Sequence, residues 1–190
     1  MIDRYSWLDK LAGEAAPRLL GCILRRTIGD QAIDCRIVEV EAYDQTDAAS
    51  HSYKGRTPRT DVMFGPSGHL YVYFTYGMHY CANVVVGEVG YGSAVLIRAV
   101  EPLNGLEIIR DNRGDKPDHQ LTNGPAKFCQ ALAIDKSFNG HDLSQTPLEL
   151  LIKPAVAKSQ IVQTTRIGIS RAKDQPWRWY IKGNSYVSKT

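Results

Sequence analysis

The residues best suited to chemistry stand at Arg36-Ile37-Val38-Glu39-Val40-Glu41-Ala42-Tyr43. Strand side chains alternate between faces, so Glu39, Glu41 and Tyr43 fall on one side. Two carboxylates on one face, near a strand end, sit awkwardly in a core. A partly buried Glu41 must find donors or titrate upward, and that is the environment of a general base. The competing picture is a surface strand with solvated glutamates, and this segment taken alone favours it.

A second stretch, Leu70-Tyr71-Val72-Tyr73-Phe74-Thr75-Tyr76-Gly77-Met78-His79-Tyr80, holds four of the ten tyrosines. Tyr71 and Tyr73 share a face. Tyr76 precedes Gly77 at the expected tip of a hairpin, where an aromatic gains little burial unless it inserts into something. Stacked bases, unstacked base steps and sugar rings all suit such a side chain. An amphipathic β-core explains Tyr71 and Tyr80 as well, but Tyr76 less so. Between these stretches lies a loop with Lys54, Arg56, Thr57 and Arg59. Cations and hydroxyls of this kind contact phosphates, though a solvated basic loop is an equally good reading. Asn83 and Arg98 interrupt apolar segments. A buried Asn needs several partners and a buried Arg needs an anion, with a structural pair to Glu101 as the competing role for Arg98.

Other chemistries find less support. The histidines at 51, 69, 79, 119 and 141 have no tight ligand spacing, so no metal is expected. The cysteines, Cys22, Cys35, Cys81 and Cys129, are separated by 13, 46 and 48 residues, which fits no zinc pattern and reads as buried thiols in a reducing compartment. There is no serine elbow, no phosphate-cradling glycine motif, and no lysine in an apolar segment beside an activator.

Short strands must position these residues. Ser6 caps a short helix with Trp7, Leu8, Leu11 and Ala12 on its apolar side, and Pro17 is expected to interrupt anything longer. Residues 21–28 and 32–43 read as a hairpin turning at Gly29-Asp30. Residues 44–67 read as a loop, and one of that length is usually functional. Residues 69–76, 78–86 and 94–100 read as strands. Helices are expected over 103–110 and, opened by Gly124-Pro125, over 126–134. Signals over 139–160 are mixed, and 166–170 and 178–182 read as closing strands. The class is α+β: a single mixed domain over 1–190, dominated by short, mostly antiparallel strands with peripheral helices and a protruding β-hairpin.

The chain has 190 residues, 43% hydrophobic and 23% charged. That is one domain burying about 70% of its unfolded surface, which argues against disorder and disulfide scaffolds. No stretch approaches a membrane span, and the start of the chain does not read as a signal peptide. Net charge is +3, but residues 151–190 hold eight Lys or Arg and one acid, Asp174. Such a segment suits an anionic partner, although charge alone favours a solvated surface.

Taken in order, these segments resemble the 3-methyladenine DNA glycosylase family of the alkyladenine (N-methylpurine) type. The matching stretches are 36–43, 48–52, 56–59, Met63-Phe64, 68–78, 95–102, 124–132 and 166–169, collinear over nearly the whole chain. The resemblance implies a curved sheet like that of the formyltransferase C-terminal domain. It implies a monofunctional enzyme that flips damaged purines out of duplex DNA and hydrolyses the N-glycosidic bond, with no cofactor. Glu41 falls at the general base and Arg98 at the residue beside it. Tyr43, His51, Tyr73 and Asn83 fall at the base pocket and Tyr76 at the intercalating position. Lys54, Arg56, Thr57, Arg59, Met78 and Lys127 become candidates for backbone contacts. Ser50 lengthens the spacing before His51 by one residue relative to the family pattern, and His79 stands where another aromatic is expected. A flipping site needs only one copy, so a monomer is expected, and the lack of the long N-terminal extension of animal members fits a bacterial protein, cytoplasmic and active at the nucleoid.

Two alternatives stay open. A non-catalytic nucleic-acid-binding module of the same fold accounts for the basic loop and C-terminal segment, but not for Glu41 beside Tyr43. A carbohydrate glycosidase would pair Glu39 with Glu41. Their strand spacing of about 6.6–6.8 Å suits an inverting pair, although both would point the same way.

Overall fold

The computed structural model describes residues 5–188. After a 3₁₀ turn at Ser6–Leu8 come α1 (Ala12–Leu19), β1 (Ile23–Ile28) and the long β2 (Gln31–Asp44). The next strands are β3 (Leu70–Thr75), β4 (His79–Val85) and β5 (Ser93–Pro102). Three helices follow, α2 (Leu106–Arg113), α3 (Asp118–Leu121) and α4 (Pro125–Ala131), then β6 (Leu148–Leu151), β7 (Ile161–Thr164) and β8 (Arg178–Ile181). This is the expected mixed α+β class. Every strand pair is antiparallel, in an open eight-stranded sheet ordered β3-β4-β5-β2-β1-β6, with β8 on β2 and β7 outside β8.

Several elements differ from expectation. Pro17 lies inside α1. The amide it lacks would have bonded the carbonyl of Gly13, and only a turn at the helix end is affected. The helix expected at 103 starts at Leu106 because Gly105 turns left-handed with φ 68°. The helix expected to reach 134 stops at Ala131, ahead of Ala133 at φ 49°. Residues 166–170 form no strand; the strand in that region is β7, upstream. The 44–67 loop contains 3₁₀ turns at His51–Lys54 and Asp61–Phe64. Short α3 and β6 lacked a readable period.

One face of the sheet packs its aliphatic residues against α1, α2 and α4, around Leu19, Ile37, Val84, Ile97, Ile109 and Phe128. The other carries a smaller cluster in which Met63 and Phe64 of the loop cover Tyr71, Val85 and Ala94. Gly92 permits that close approach: a β-carbon there would meet Phe64 at 2.5 Å and Ser52 at 2.8 Å.

Two bulges decide what faces where. The β2–β5 register slips between Ile37 and Glu39, leaving Val38 extra on β2. It slips back between Glu39 and Val40, leaving Arg98 extra on β5. One extra residue turns every later side chain to the opposite face. The core side of β2 therefore changes from Ile33, Cys35 and Ile37 to Val40 and Ala42. Glu39, Glu41 and Tyr43 consequently point to the other side, as does Arg98 opposite them.

Among the described residues, no helix is long and apolar enough to cross a membrane.

Candidate active site

A cavity of about 580 Å³ opens on that second face, within the size range of small-molecule sites. Tyr43, His51, Tyr73, Asn83 and Arg98 line it together, with Thr75 and Tyr76 from the hairpin and 167–171 from the loop before β8. Glu41 lies next to these walls, fully buried. The solvated-strand reading of this segment is thus overturned, since the bulges turn both glutamates away from the aliphatic core and into a buried polar layer.

Glu41 is held by three donors. The Tyr43 hydroxyl donates to Oε2 at 2.7 Å, and the Ile167 backbone N–H donates to Oε1 at 2.8 Å. The Arg98 guanidinium lies 3.2 Å from Oε1. An acceptor-only carboxylate is the form these donors match. Burial and the adjoining Glu41 carboxylate push the Tyr43 hydroxyl well above its ordinary range, which keeps it a donor.

Arg98 does not pair with Glu101, whose partners are Arg36 and Asn184. As the extra residue of its bulge, Arg98 is aimed at both Glu39 and Glu41. Burial works against its charge, but the two carboxylates outweigh that and hold the guanidinium above its ordinary value. Glu39 is fully buried and accepts from Arg98 at 3.1 Å, Arg178 at 2.7 Å and the Ser188 backbone N–H at 2.6 Å. Of its partners only Arg98 lines the cavity, whereas all three donors on Glu41 do, so Glu39 lies a layer further back and the geometric basis for a glycosidase pair is weak.

His51 opens the first 3₁₀ turn of the loop. Ser50, the residue that lengthens the spacing, caps this turn by accepting from the Ser52 N–H at 3.2 Å. The His51 ring meets Tyr73 edge-on at 4.5 Å, and its Nδ1 lies 3.1 Å from the Tyr71 hydroxyl. Desolvation of the ring and the charge of Arg59 hold it down at about 4. Burial raises the Tyr73 hydroxyl above its ordinary range. Tyr71, expected as core, is 1% exposed and also lines the cavity. Asn83 uses its amide to donate to the Tyr71 carbonyl at 3.0 Å.

The hairpin tip forms the lip. Tyr76 is 85% exposed and Met78 70%. Tyr76 and Gly77 both have positive φ, 51° and 68°, as the tight turns that match strand twist require. The basic loop divides. Lys54 lines the cavity, and Arg59 stacks over Tyr73 at 5.8 Å. Arg56 is paired with Asp61 at 2.5 Å, and the Thr57 hydroxyl is tied to Thr60 at 2.9 Å. Lys127 sits on α4, two residues beyond the cavity-lining Pro125, and donates to Asn123 at 2.7 Å. Burial and then Arg113 and Lys116 lower its pKa.

Three further groups join the site without a local signal in the sequence: Arg166 and Asp47, whose side chains form an ion pair with no exposure, and the Ile167 amide that reaches Glu41. Arg166 was visible only inside a matching segment. Among the described residues no group of three His, Cys, Asp or Glu could hold a metal.

The family model described as methylpurine-DNA glycosylase (MPG) matches residues 6–185. A protein of Carboxydothermus hydrogenoformans, provisionally named a 3-methyladenine DNA glycosylase, is 54% identical over 92% of each chain. Proteins with the same provisional name are 48% identical in Methanoculleus marisnigri, over 92% of each chain, and 46% identical in Burkholderia lata, over 96% of this chain and 89% of that one. A cavity walled by tyrosines, with a buried glutamate behind it and an exposed tyrosine at its lip, is thus carried on a sequence matched almost end to end, and the chain belongs to the methylpurine-DNA glycosylase family.

Proposed function

We propose that the protein removes damaged purines from duplex DNA as a monofunctional glycosylase, with Glu41 as the general base. The observation that carries this reading is the placement of Glu41: fully buried, held by three donors, beside an aromatic-walled cavity that reaches the surface.

The glycosidic bond is hidden inside a duplex, so the nucleotide must be extruded, at a cost of a few kcal/mol. Tyr76 stands at the lip, where its ring replaces the stacking that is lost. A modified base that pairs or stacks poorly costs less to flip. The flipped purine lies between Tyr43, His51 and Tyr73, with Asn83 reading its edge. Cleavage passes through an oxocarbenium-like transition state. Glu41 stabilises that charge and accepts a proton from the attacking water, while Arg98 holds the carboxylate in place. Alkylated purines such as 3-methyladenine carry positive charge and leave readily. Hypoxanthine and ethenoadenine are neutral and need protonation. The product is an abasic site in an unbroken strand, and a monomer suffices.

The test uses duplexes with a single alkylated purine, hypoxanthine or ethenoadenine, treated with alkali after incubation without added metal. Wild type yields alkali-dependent cleavage. Glu41→Gln loses about 10²–10⁴-fold in rate, the range of a general base, and still binds the lesion. Near-wild-type turnover of that variant removes Glu41 from the role. A borohydride-trapped enzyme–DNA adduct overturns the monofunctional reading. Salt-sensitive DNA binding with no cleavage of any lesion favours the non-catalytic module.

A further inference from the structure

Arg166 touches both flanks of Glu41 without touching Glu41 itself. Its Nη1 donates to the carbonyl of Ala42, the residue between Glu41 and Tyr43, at 2.9 Å. Its guanidinium lies 4.6 Å from the centre of the Tyr43 ring, with Trp177 at 5.4 Å. The next residue, Ile167, supplies the N–H that donates to Glu41. Asp47 anchors the arrangement, since both its carboxylate oxygens accept from Arg166. Asp47 also accepts from the Ala49 N–H at 3.0 Å, at the entry to the turn that carries His51.

A buried ion pair is poor evidence for stability, because well-packed apolar residues often serve as well. What the planar guanidinium provides is position. It bonds to a carboxylate and two carbonyls, of Ala42 and of Ala172 at 3.3 Å, and lies over the Tyr43 ring. Lysine offers a single point charge and reproduces neither the fork nor the stack.

We propose that Arg166, anchored by Asp47, is a positioning residue that fixes two of the three donors on Glu41, the Tyr43 hydroxyl and the Ile167 N–H. This rests on the reading of Glu41 as general base. Loss of the clamp lets Tyr43 tilt and the 167 segment drift, and misplacement by about 1 Å can cost on the order of 10²-fold in rate. The lesion also meets His51, Tyr73, Asn83 and Tyr76, to none of which Arg166 bonds, so affinity falls less than the rate.

The test compares wild type, Arg166→Lys and the charge-balanced pair Arg166→Gln/Asp47→Asn, each also combined with Tyr43→Phe. Single-turnover rates and dissociation constants are measured on the best lesion duplex. The charge-balanced pair slows cleavage about 10–100-fold with affinity within threefold. Arg166→Lys retains a charge for Asp47, remains folded and is also slow. The loss shrinks when Tyr43 is already Phe, because part of it passes through that hydroxyl. A readout independent of activity is the Tyr43 hydroxyl proton in the NMR spectrum, assigned by its loss in Tyr43→Phe. It disappears or moves in the charge-balanced pair. Rates within threefold of wild type, or an unmoved hydroxyl signal with only a lower melting temperature, reduce Arg166 to a structural tie and overturn the proposal. Should wild type itself cleave nothing, the glycosylase reading fails while the NMR signal still decides the positioning. If the double variant fails to fold, Arg166→Lys carries the same comparison.

Discussion

The Tyr43 hydroxyl donates to the Glu41 carboxylate at 2.7 Å, two residues along the same face of β2. One side chain thus serves as a wall of the cavity and as a tether for the carboxylate behind it. Tyr43→Phe separates the two roles: the wall remains and the tether goes. Cleavage is expected to slow about 10-fold, the worth of one hydrogen bond to a charged group, with lesion affinity nearly unchanged. Equal losses in rate and affinity would show that the hydroxyl contacts the base instead.

Tyr76 has its backbone in the left-handed region at φ 51°, a conformation that costs an aromatic residue on the order of 1–3 kcal/mol. Asparagine tolerates that region better. Tyr76→Asn should leave the protein as stable or slightly more so, while base flipping and lesion affinity fall. Urea unfolding beside the fluorescence of a reporter base checks both. A stable variant with undiminished flipping would remove Tyr76 as the wedge.

Arg98 serves two buried carboxylates. Arg98→Met leaves Glu41 and Glu39 short of a counter-charge, and loses about 3–5 kcal/mol of stability, the range for breaking a buried pair. Glu39→Gln is expected to be destabilised without losing the chemical step, because Glu39 is spent on Arg98, Arg178 and Ser188, behind the residues that wall the cavity. Denaturant midpoints and single-turnover rates separate the two. Abolished chemistry in a well-folded Glu39→Gln would restore the two-carboxylate mechanism.

His51 sits at about 4, below its ordinary 6.5. Between those values the unfolded chain binds more protons at this position than the folded one. Stability contributed here is therefore intact above pH 6.5 and declines as pH falls towards 4. His51→Gln should flatten that part of the acid decline, measured as melting temperature against pH. An unchanged slope would mean that the ring is not held neutral.

Much of this was legible in local chemistry. Gly29-Asp30 marked the first hairpin, Gly77 the second, and the run of tyrosines marked the wall and the lip. What escaped was set by distant partners. Ile167 and Ile169 alternate as in a strand, but their segment is pinned by Arg166 to Asp47, more than a hundred residues away. Local sequence left Arg98 open to Glu101, its near neighbour, and only the resemblance pointed to Glu41; the bulge that aims the side chain there has a distant strand as its partner. One clue was present: Ile37 and Val38 are adjacent and both buried, which breaks the alternation where the register slips.

The paired bulges give β2 something like a reading frame. Up to Ile37 the odd positions face the aliphatic core, and from Val40 onward the even ones do. Val38 stands outside the ladder, and by doing so absorbs the change of parity. Exchange for another aliphatic residue keeps the frame. Val38 forced into the ladder as an ordinary residue would swap the halves, driving Glu39, Glu41 and Tyr43 into the aliphatic layer and presenting Val40 and Ala42 to the cavity, whereas its deletion would restore plain alternation and leave Glu41 on the cavity side. The cavity-facing carboxylate thus depends on one residue staying out of the pairing.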